Sequence, residues 1–262
     1  MHDDYFQDEG FSPVKAFLGL LTFSTILPIR VYTSIEYMTR LVWCWPFLHL
    51  FVGFLALICG YVSLNFLHFN QFLTAVIVYA FLMIITGYNH LDGVMDMADG
   101  LMVHGTPEKK ISVVKDSSVG AGGIATLFLV ASLTVGAVYN ILDYNFIVGI
   151  MLCEMLAKTS LLTTALTSKP LIPGIGSYFI LSTKPLTYVI STVIVAVIDY
   201  LLGGFAALFG VVGAVVSGLI ISLLAKRNFG VANGDVLGMS NEVGRLFALL
   251  FMLIGLYVIR VI

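Results

Sequence analysis

Three aspartates lie close together in a chain that is otherwise poor in charge. Asp92, Asp96 and Asp99 fall within eight residues of a sequence that is 59% hydrophobic and only 11% charged. If the segment is helical, the i, i+4 and i+7 spacing places the three carboxylates on one face, within about 60° of arc and roughly 11 Å of axis. Like charges one turn apart repel each other, so the pattern predicts a bound cation on this face.

The available ligand atoms favour magnesium or manganese over zinc. The carboxylate oxygens of the aspartates are hard ligands, and no histidine cluster or thiolate pair accompanies them. The three cysteines, Cys44, Cys59 and Cys153, lie in apolar runs without metal-ligand spacing. Mg²⁺ usually leaves part of its coordination shell to water and substrate phosphate, so we expect a phosphate-bearing ligand. Helix capping is the structural alternative, but one cap uses only one carboxylate.

A second short helix is predicted directly after the acidic segment. Residues 105–107 are Gly-Thr-Pro, in which the glycine ends one helix, the threonine caps the next and the proline starts it. The new helix is expected to carry Lys109, Lys110, Lys115 and Asp116 back toward the membrane, antiparallel to the acidic segment. Asp116 is therefore a candidate fourth metal ligand and Lys115 a candidate phosphate contact. For Lys109 and Lys110 the alternative is a simple topology signal.

Two further acids lie near the C-terminal end. Asn233 and Gly234 form a turn signature before Asp235, and Asp235 lies seven residues before Glu242. If a helix resumes promptly, Asp235 and Glu242 share one face beside Arg245. Both acids are candidate site residues, although an i, i+3 ion pair between Glu242 and Arg245 is the competing structural explanation.

Other polar residues interrupt the apolar segments. Glu154 and Lys158 have the i, i+4 order of a helix ion pair, and they either neutralise each other or line a cavity. His90 precedes the acidic segment and is a candidate for orienting a carboxylate or contacting phosphate, although a single histidine more often makes a local hydrogen bond. Asp199 is expected to reach the membrane interface from the end of its segment.

The composition predicts an all-α polytopic membrane protein with a single integral membrane domain over residues 1–262. The mean hydropathy is +1.01, and long runs carry almost no charge. An apolar stretch over residues 11–29, ended by Pro28, is predicted as an interfacial or re-entrant helix. About seven transmembrane helices are predicted after it, at 44–64, 72–88, 124–142, 146–166, 186–202, 205–225 and 243–259.

Basic residues predict the orientation of these helices. The long connections 89–123, 167–185 and 226–241 contain lysine or arginine, whereas the short connections contain neither. The positive-inside rule therefore places the long connections and the acidic segment on the cytoplasmic side of the cell (inner) membrane. A net charge of −2 leaves no basic face to neutralise a nucleic acid, so that class of partner is excluded.

Three sequence segments resemble one known enzyme family. Residues 86–100, 114–120 and 233–238, the last followed by Glu242, are similar to the motifs of the adenosylcobinamide-GDP ribazoletransferase family, also called cobalamin (5′-phosphate) synthase. A weaker similarity covers residues 23–28. The family pattern often has threonine where this chain has Asn233. The resemblance extends nearly end to end, and its first segment is the most specific.

The resemblance implies an activity that composition cannot give. The family transfers α-ribazole, usually as its 5′-phosphate, onto adenosylcobinamide-GDP, releases GMP and uses Mg²⁺. On this chain it implies catalytic roles for Asp92, Asp96, Asp99, Asp116 and Glu242, the first four of which are also the expected metal ligands. The residues expected to contact substrate are His90, Lys109, Lys110, Lys115, Ser117, Lys158, Arg227 and Asp235.

Two other functions fit parts of the sequence. The spacing Asp96-x-x-Asp99-Gly100 is also similar to the CDP-alcohol phosphotransferase motif, but that family has an Ala-Arg pair and a final Asp pair that this chain lacks. A cation-coupled transporter would also use intramembrane acids, although it predicts acids scattered near the membrane midplane. The sequence identifies membrane lipid as the surroundings and leaves a homo-oligomer open.

Overall fold

The computed structural model describes residues 11–116 and 118–261, and in these ranges it is helical throughout apart from one isolated bridge between Pro170 and Ala232. The helices are α1 (Pro13–Ser24), α2 (Ile35–Thr39), α3 (Trp45–Asn65), α4 (Gln71–Ile85), α5 (Leu91–Met102), α6 (Pro107–Val114), α7 (Ala121–Asp143), α8 (Val148–Thr167), α9 (Ile175–Ser182), α10 (Pro185–Asn228) and α11 (Gly234–Val261). The predicted all-α class is therefore confirmed.

Helices cover each of the seven segments that the sequence predicted to cross the membrane. Five of the described helices are long and apolar enough to span a bilayer. One of the five, α10, has 44 residues and contains Gly204 at a φ of 63°, which divides it where two spans were predicted. Helix α4 has only 15 residues. The structure thus supports a helical membrane protein, and the number of crossings stays a prediction.

The N-terminal apolar stretch forms a short helix with one buried face. Ser12 caps α1 by accepting a hydrogen bond from the Lys15 amide at 3.4 Å. Ala16 and Leu20 are fully buried against the bundle, whereas Phe17 is exposed. With 12 residues α1 is too short to cross a bilayer, as expected for an interfacial or re-entrant element.

Helix α8 lies at the centre of the bundle. It packs against α3, α10 and α11, and nearly all of its residues are buried. Small residues allow these close approaches: a Cβ on Gly53 of α3 would lie 2.2 Å from the Met151 carbonyl oxygen, and a Cβ on Gly244 of α11 would lie 2.4 Å from Cβ of Ser160. The position of α11 relative to α8 is therefore fixed by direct helix contact.

Helix α5 connects this bundle to the acidic segment. It packs against α7 and α11, and α6 folds back onto it. Val94 and Met97 are fully buried on its inner face, whereas Asp92 is exposed on the other. Its amphipathic pattern explains why it lies at the end of the bundle, and the predicted stop, cap and restart over residues 105–107 are confirmed by Thr106, which caps α6.

A single added methyl group tests the α3–α8 contact. Gly53→Ala forces a Cβ into the Met151 carbonyl, so we expect about 1–3 kcal/mol of destabilisation, the usual cost of overpacking. Gly136→Ala on α7 is the matched control because nothing lies within 4 Å of its Cβ position. Thermal unfolding in detergent should give a lower Tm for the first variant and an unchanged or higher one for the second. Equal Tm values would contradict the close contact.

Candidate active site

The acidic site forms where α5 meets the first turn of α11. A Cβ on Gly93 would lie 2.5 Å from the carbonyl oxygen of Asp235, so only glycine allows this approach of the two backbones. Asn233 precedes α11, and its Oδ1 accepts a hydrogen bond from the Val236 amide at 3.2 Å. Helix α11 begins at Gly234, so the condition under which Asp235 and Glu242 belong to one helix is met, nine residues before the predicted start of the last span. The contact brings Asp235 close to Asp92 and Asp96.

Asp96 is surrounded by the negative charges of several other aspartates. Partial burial, together with the neighbouring carboxylates of Asp235, Asp92 and Asp99, raises the pKa of Asp96 to about 6. No basic side chain in the described part of the chain forms an ion pair with Asp92 or Asp96. These two carboxylates are therefore the least neutralised of the predicted metal ligands.

Asp99 has a structural role that the sequence analysis set aside. Its Oδ2 accepts a hydrogen bond from the Gly120 amide at 2.6 Å, and its Oδ1 accepts one from the Gly123 amide at 2.8 Å. These amides belong to the N-terminus of α7, where unpaired N–H groups favour a carboxylate. The expectation that capping would not explain this aspartate was wrong, because Asp99 caps the following helix and not its own.

Asp116 lies in the connection between α6 and α7. It is exposed after α6, and its Oδ1 accepts a hydrogen bond from the Ser118 amide at 2.9 Å. This backbone hydrogen bond lowers the pKa of Asp116 below its usual range. Its predicted role as a fourth metal ligand is not supported by a contact with Asp92 or Asp96. Ser117, a predicted substrate contact, lies outside the described residues.

The ligand chemistry at α5 and α11 fits magnesium. The described residues contain no group of three or more His, Cys, Asp or Glu side chains already closed around one metal position. Mg²⁺ does not need such a cage, because it is usually held by one or two carboxylates together with waters and substrate phosphates. Asp92 and Asp96, supported by Asp235, offer that number of oxygen ligands without a competing basic partner.

Several of the predicted phosphate contacts lie on or next to α6 and at the end of α10. Lys109 and Lys115 are exposed on or directly after α6, which packs on α5, and Arg227 is exposed near the end of α10. Lys110 instead donates a hydrogen bond from Nζ to Asn228 Oδ1 at 2.6 Å. Three of the four predicted phosphate contacts thus remain exposed, and the fourth connects α6 with α10.

A buried ion cluster lies deeper in the bundle. Arg245 is fully buried and pairs through Nε with Glu154 and through Nη1 with Glu242. Oε2 of Glu154 also lies 3.5 Å from Nδ1 of the buried His49. The pair between Glu242 and Arg245 is the structural alternative that the sequence offered. Since α11 begins at Gly234, Glu242 lies two turns inside the helix and not at the edge of the site.

Lys158 also differs from its expected environment. It is fully buried, and its nearest partners are the His90 ring, with Nζ 3.1 Å from Nε2, and the Trp45 ring, with Nζ 4.7 Å from the centroid. Its expected i, i+4 partner Glu154 pairs with Arg245 instead. Lys158 therefore contacts His90, which is itself largely buried, and has no ion pair with the exposed acids.

Asp199 is buried inside the bundle, which corrects the expectation that it reaches the interface. It has no exposed surface, and neither carboxylate oxygen has a hydrogen-bond partner among residues 11–116 and 118–261. It lies on α10 before the kink at Gly204, so the helix turns it toward the core and not toward lipid headgroups.

A cavity of about 280 Å³ lies beside the acidic site. Asp235 and His90 form part of its wall, and both were predicted to contact substrate. The sequence analysis missed the aromatic part of the wall, which consists of Phe23, Trp45 and Phe179. Only the weak motif over residues 23–28 gave a signal there, because aromatic residues in a membrane protein are usually assigned to lipid-facing packing.

The charged form of Asp96, partly buried among other carboxylates, should lower the free energy of unfolding when no divalent cation is present. Because the folded-state pKa of Asp96 is about 6 against an ordinary 3.8, the folded protein loses stability as pH rises from about 4 to 6. With EDTA at pH 7–8, Asp96→Asn should therefore be more stable than wild type, by about 1 kcal/mol after solvent screening. The gain should disappear below pH 4.

Thermal unfolding over this pH range checks the stability prediction. Asp143→Asn is the control, because Asp143 is exposed at the end of α7 and lies outside the acidic site. A pH-independent difference between Asp96→Asn and wild type would contradict the repulsion, as would the same gain in Asp143→Asn.

Comparisons with known proteins give a consistent result. The family model described as cobalamin-5-phosphate synthase matches residues 16–253. Relatives named adenosylcobinamide-GDP ribazoletransferase include one from Methanococcoides burtonii, 32% identical over 248 residues that cover 90% of this chain and 91% of the relative. Another, from Methanosarcina mazei, is 30% identical over 264 residues, 94% of each chain.

The similarity extends beyond the archaea. A relative of the same name from Clostridioides difficile is 30% identical over 253 residues, which cover 91% of this chain and 96% of the relative. No solved structure matches the chain. The matched range contains α5, α6 and the start of α11, which carry the acids described above. The resemblance found in the sequence is confirmed, and this chain belongs to the cobalamin-5-phosphate synthase family.

Proposed function

We propose that this protein transfers α-ribazole, as its 5′-phosphate, onto adenosylcobinamide-GDP, producing adenosylcobalamin 5′-phosphate and GMP. The family match and the shared name of the relatives support this reaction over lipid synthesis and over transport. The structural observation that carries the proposal is the meeting of Asp92, Asp96 and Asp235 beside a cavity, with no ion pair between Asp92 or Asp96 and a described basic side chain.

Magnesium is the proposed cofactor. Asp92 and Asp96 are its proposed ligands, and Asp116 stays a predicted ligand. Asp99 is proposed to fix the N-terminus of α7 against α5. When bound, Mg²⁺ supplies positive charge to the diphosphate of the donor and to the departing GMP.

The chain's own residues have separable roles in the proposed reaction. The 3′-hydroxyl oxygen of ribazole attacks the phosphorus next to the cobinamide arm, and the bond from that phosphorus to the GMP oxygen breaks. Asp235 is the proposed acceptor of the hydroxyl proton, because it lines the cavity and adjoins the other acids. Glu242 is not used in this step since Arg245 already pairs with it.

Basic residues around the site are proposed to hold the substrate phosphates. Lys109, Lys115 and Arg227 are exposed on elements next to the acids and can move to follow a phosphate. Lys110 contributes indirectly through its hydrogen bond to Asn228, which keeps α6 against the end of α10. Their charge also limits the repulsion between the acidic site and an anionic substrate.

The proposed location is the cell (inner) membrane, with the acidic site facing the cytoplasm. The acids at α5 and at the start of α11 share one end of the bundle with the basic residues of α6 and the end of α10. The positive-inside rule assigns such an end to the cytoplasm, where nucleotide substrates are found. Membrane lipid is the proposed surroundings of the five long apolar helices.

Release of GMP tests the proposed function directly. Purified protein incubated with adenosylcobinamide-GDP, α-ribazole 5′-phosphate and Mg²⁺ should release GMP. EDTA should stop the reaction, and added Mg²⁺ should restore it. Asp96→Asn should lower the rate at least about 100-fold, because charge stabilisation at the transferring phosphoryl group carries most of the catalysis.

The control for this assay is Asp143→Asn, which should keep the wild-type rate since Asp143 lies away from the site. Circular dichroism and gel filtration confirm that both variants are folded. A folded Asp96→Asn that releases GMP at the wild-type rate would refute the assignment of the acidic site.

A further inference from the structure

Three aromatic rings form a compact cluster in the wall of the cavity. The rings of Trp45 and Phe179 are stacked, with centroids 4.8 Å apart and planes 24° apart. Phe23 lies against both, 5.1 Å from Phe179 and 6.2 Å from Trp45. Trp45 and Phe179 are buried, whereas Phe23 is partly exposed. Phe23 therefore offers ring surface to an occupant, while the other two rings hold it in place.

The cluster is fixed from several elements. Phe23 lies on α1, Trp45 starts α3 and Phe179 lies on α9, so three separate helices contribute one ring each. The Lys158 ammonium lies 4.7 Å from the centroid of the Trp45 ring, and Asn89 Nδ2 donates a hydrogen bond to the Phe23 carbonyl at 3.4 Å. A wall assembled in this way is present before a ligand binds, as is usual for small-molecule sites.

The remaining wall combines apolar and polar groups. Leu161 and Leu237 contribute aliphatic surface, and Gly234 and Gly238 contribute bare backbone. The polar side chains are those of Ser24, Asn89, His90 and Asp235, of which His90 lies next to the acidic helix. An occupant that fits this distribution has flat apolar faces and a polar edge that points toward the acids.

The volume limits the size of that occupant. At about 280 Å³ the cavity lies just below the range of roughly 300–1,000 Å³ typical of sites for drug-sized ligands. It holds a base of two fused rings but not a corrin macrocycle. Among the components of the proposed reaction, this leaves the base of ribazole and the guanine of the donor.

Hydrogen bonding favours the ribazole base. Guanine carries donors and acceptors along most of its edge, and each one left unpaired on binding costs affinity. Two polar groups of the wall are already engaged: Ser24 Oγ donates a hydrogen bond to the Leu20 carbonyl at 2.7 Å, and Asn89 Nδ2 donates one to the Phe23 carbonyl at 3.4 Å. The benzimidazole of ribazole has apolar faces, methyl groups and a single acceptor nitrogen besides the glycosidic one, so it leaves fewer groups unpaired.

We propose that this cavity binds the benzimidazole base of ribazole between α1, α3 and α9. The inference rests on the proposed function and adds the location of one substrate component. With the base in the cavity, the attached ribose extends past Asp235 toward Asp92 and Asp96. The 3′-hydroxyl group then lies on the side of the cavity where the phosphoryl group is transferred.

The two tryptophans of the chain provide a direct test. Trp43 and Trp45 are the only tryptophans in the sequence, and Trp43 lies outside the cavity wall. The Trp43→Phe variant therefore reports on Trp45 alone and should keep the wild-type rate of GMP release. Its Trp45 emission should be quenched saturably by α-ribazole, measured in nanodiscs without donor and without Mg²⁺. The Trp45→Phe variant, which retains Trp43, should show no such quenching.

Kinetics provide an independent measurement on the same variants. Trp45→Phe keeps an aromatic ring but leaves a gap in the packing behind Phe23, so KM for α-ribazole 5′-phosphate should rise about tenfold. KM for adenosylcobinamide-GDP should stay unchanged, and kcat should change little because the base does not react. Trp43→Phe should leave all three constants unchanged.

Other results would overturn the proposal. Quenching of Trp45 by GMP but not by α-ribazole would assign the cavity to guanine. Quenching by brominated-chain lipids that α-ribazole does not relieve would assign it to an acyl chain. No saturable response to α-ribazole would reject the site altogether.

The binding measurement separates this proposal from the proposed function. Because it uses neither donor nor metal, saturable quenching without any GMP release would support the cavity and reject the reaction. GMP release by a protein whose Trp45 does not respond to α-ribazole would support the reaction and reject the cavity.

Discussion

Mutual repulsion between carboxylates is the interaction on which the site depends. Asp92, Asp96 and Asp235 meet because α5 and α11 approach so closely that Gly93 leaves no room for a side chain. Partial burial and the neighbouring carboxylates together raise the pKa of Asp96 to about 6, so its charged form is disfavoured in the folded protein. The proposed cation would remove this cost by binding between the carboxylates and the substrate diphosphate.

The rest of the bundle holds this unfavourable arrangement in place. Arg245 is neutralised by Glu154 and Glu242, and this buried cluster fixes α11 against α8. Removing one member would leave an unpaired buried charge, so the register of the two helices is strongly specified. At the other end of α5, Asp99 satisfies two amides of α7. Arg245 and Asp99 are thus satisfied within the bundle, whereas Asp92 and Asp96 have no ion pair with a described basic side chain.

The sequence predicted the parts of this structure that depend on local pattern. The apolar segments gave the helices, and the Thr-Pro start gave α6. The start of α11 at Gly234 was considered only as a condition, since the last span was predicted to begin at residue 243. The hydrogen bonds of Asp99 to two amides of α7, the nearer of them 21 residues later, gave no signal in the sequence because they depend on packing between helices. Local spacing shows which residues share a face and does not show what packs on that face.

The aromatic cavity was missed for the same physical reason. Phe23, Trp45 and Phe179 come from three segments more than 20 residues apart, and no single segment suggests that they meet. Each residue alone fits the lipid-facing pattern of a membrane protein. Only the folded chain places the three rings beside His90 and joins an apolar pocket to the acidic site. A reaction that joins an aromatic nucleoside to a diphosphate requires both parts together.

Binding of Mn²⁺, followed by electron paramagnetic resonance, tests the central claim most directly, since Mn²⁺ takes the same oxygen ligands as Mg²⁺. We expect a Mn²⁺ site whose affinity is higher when the donor substrate is present. Mn²⁺ binding should be lost in Asp96→Asn and weakened in Asp235→Asn. Asp143→Asn should bind Mn²⁺ as wild type does. Unchanged Mn²⁺ binding in folded Asp96→Asn would show that these carboxylates meet for some reason other than a metal ion.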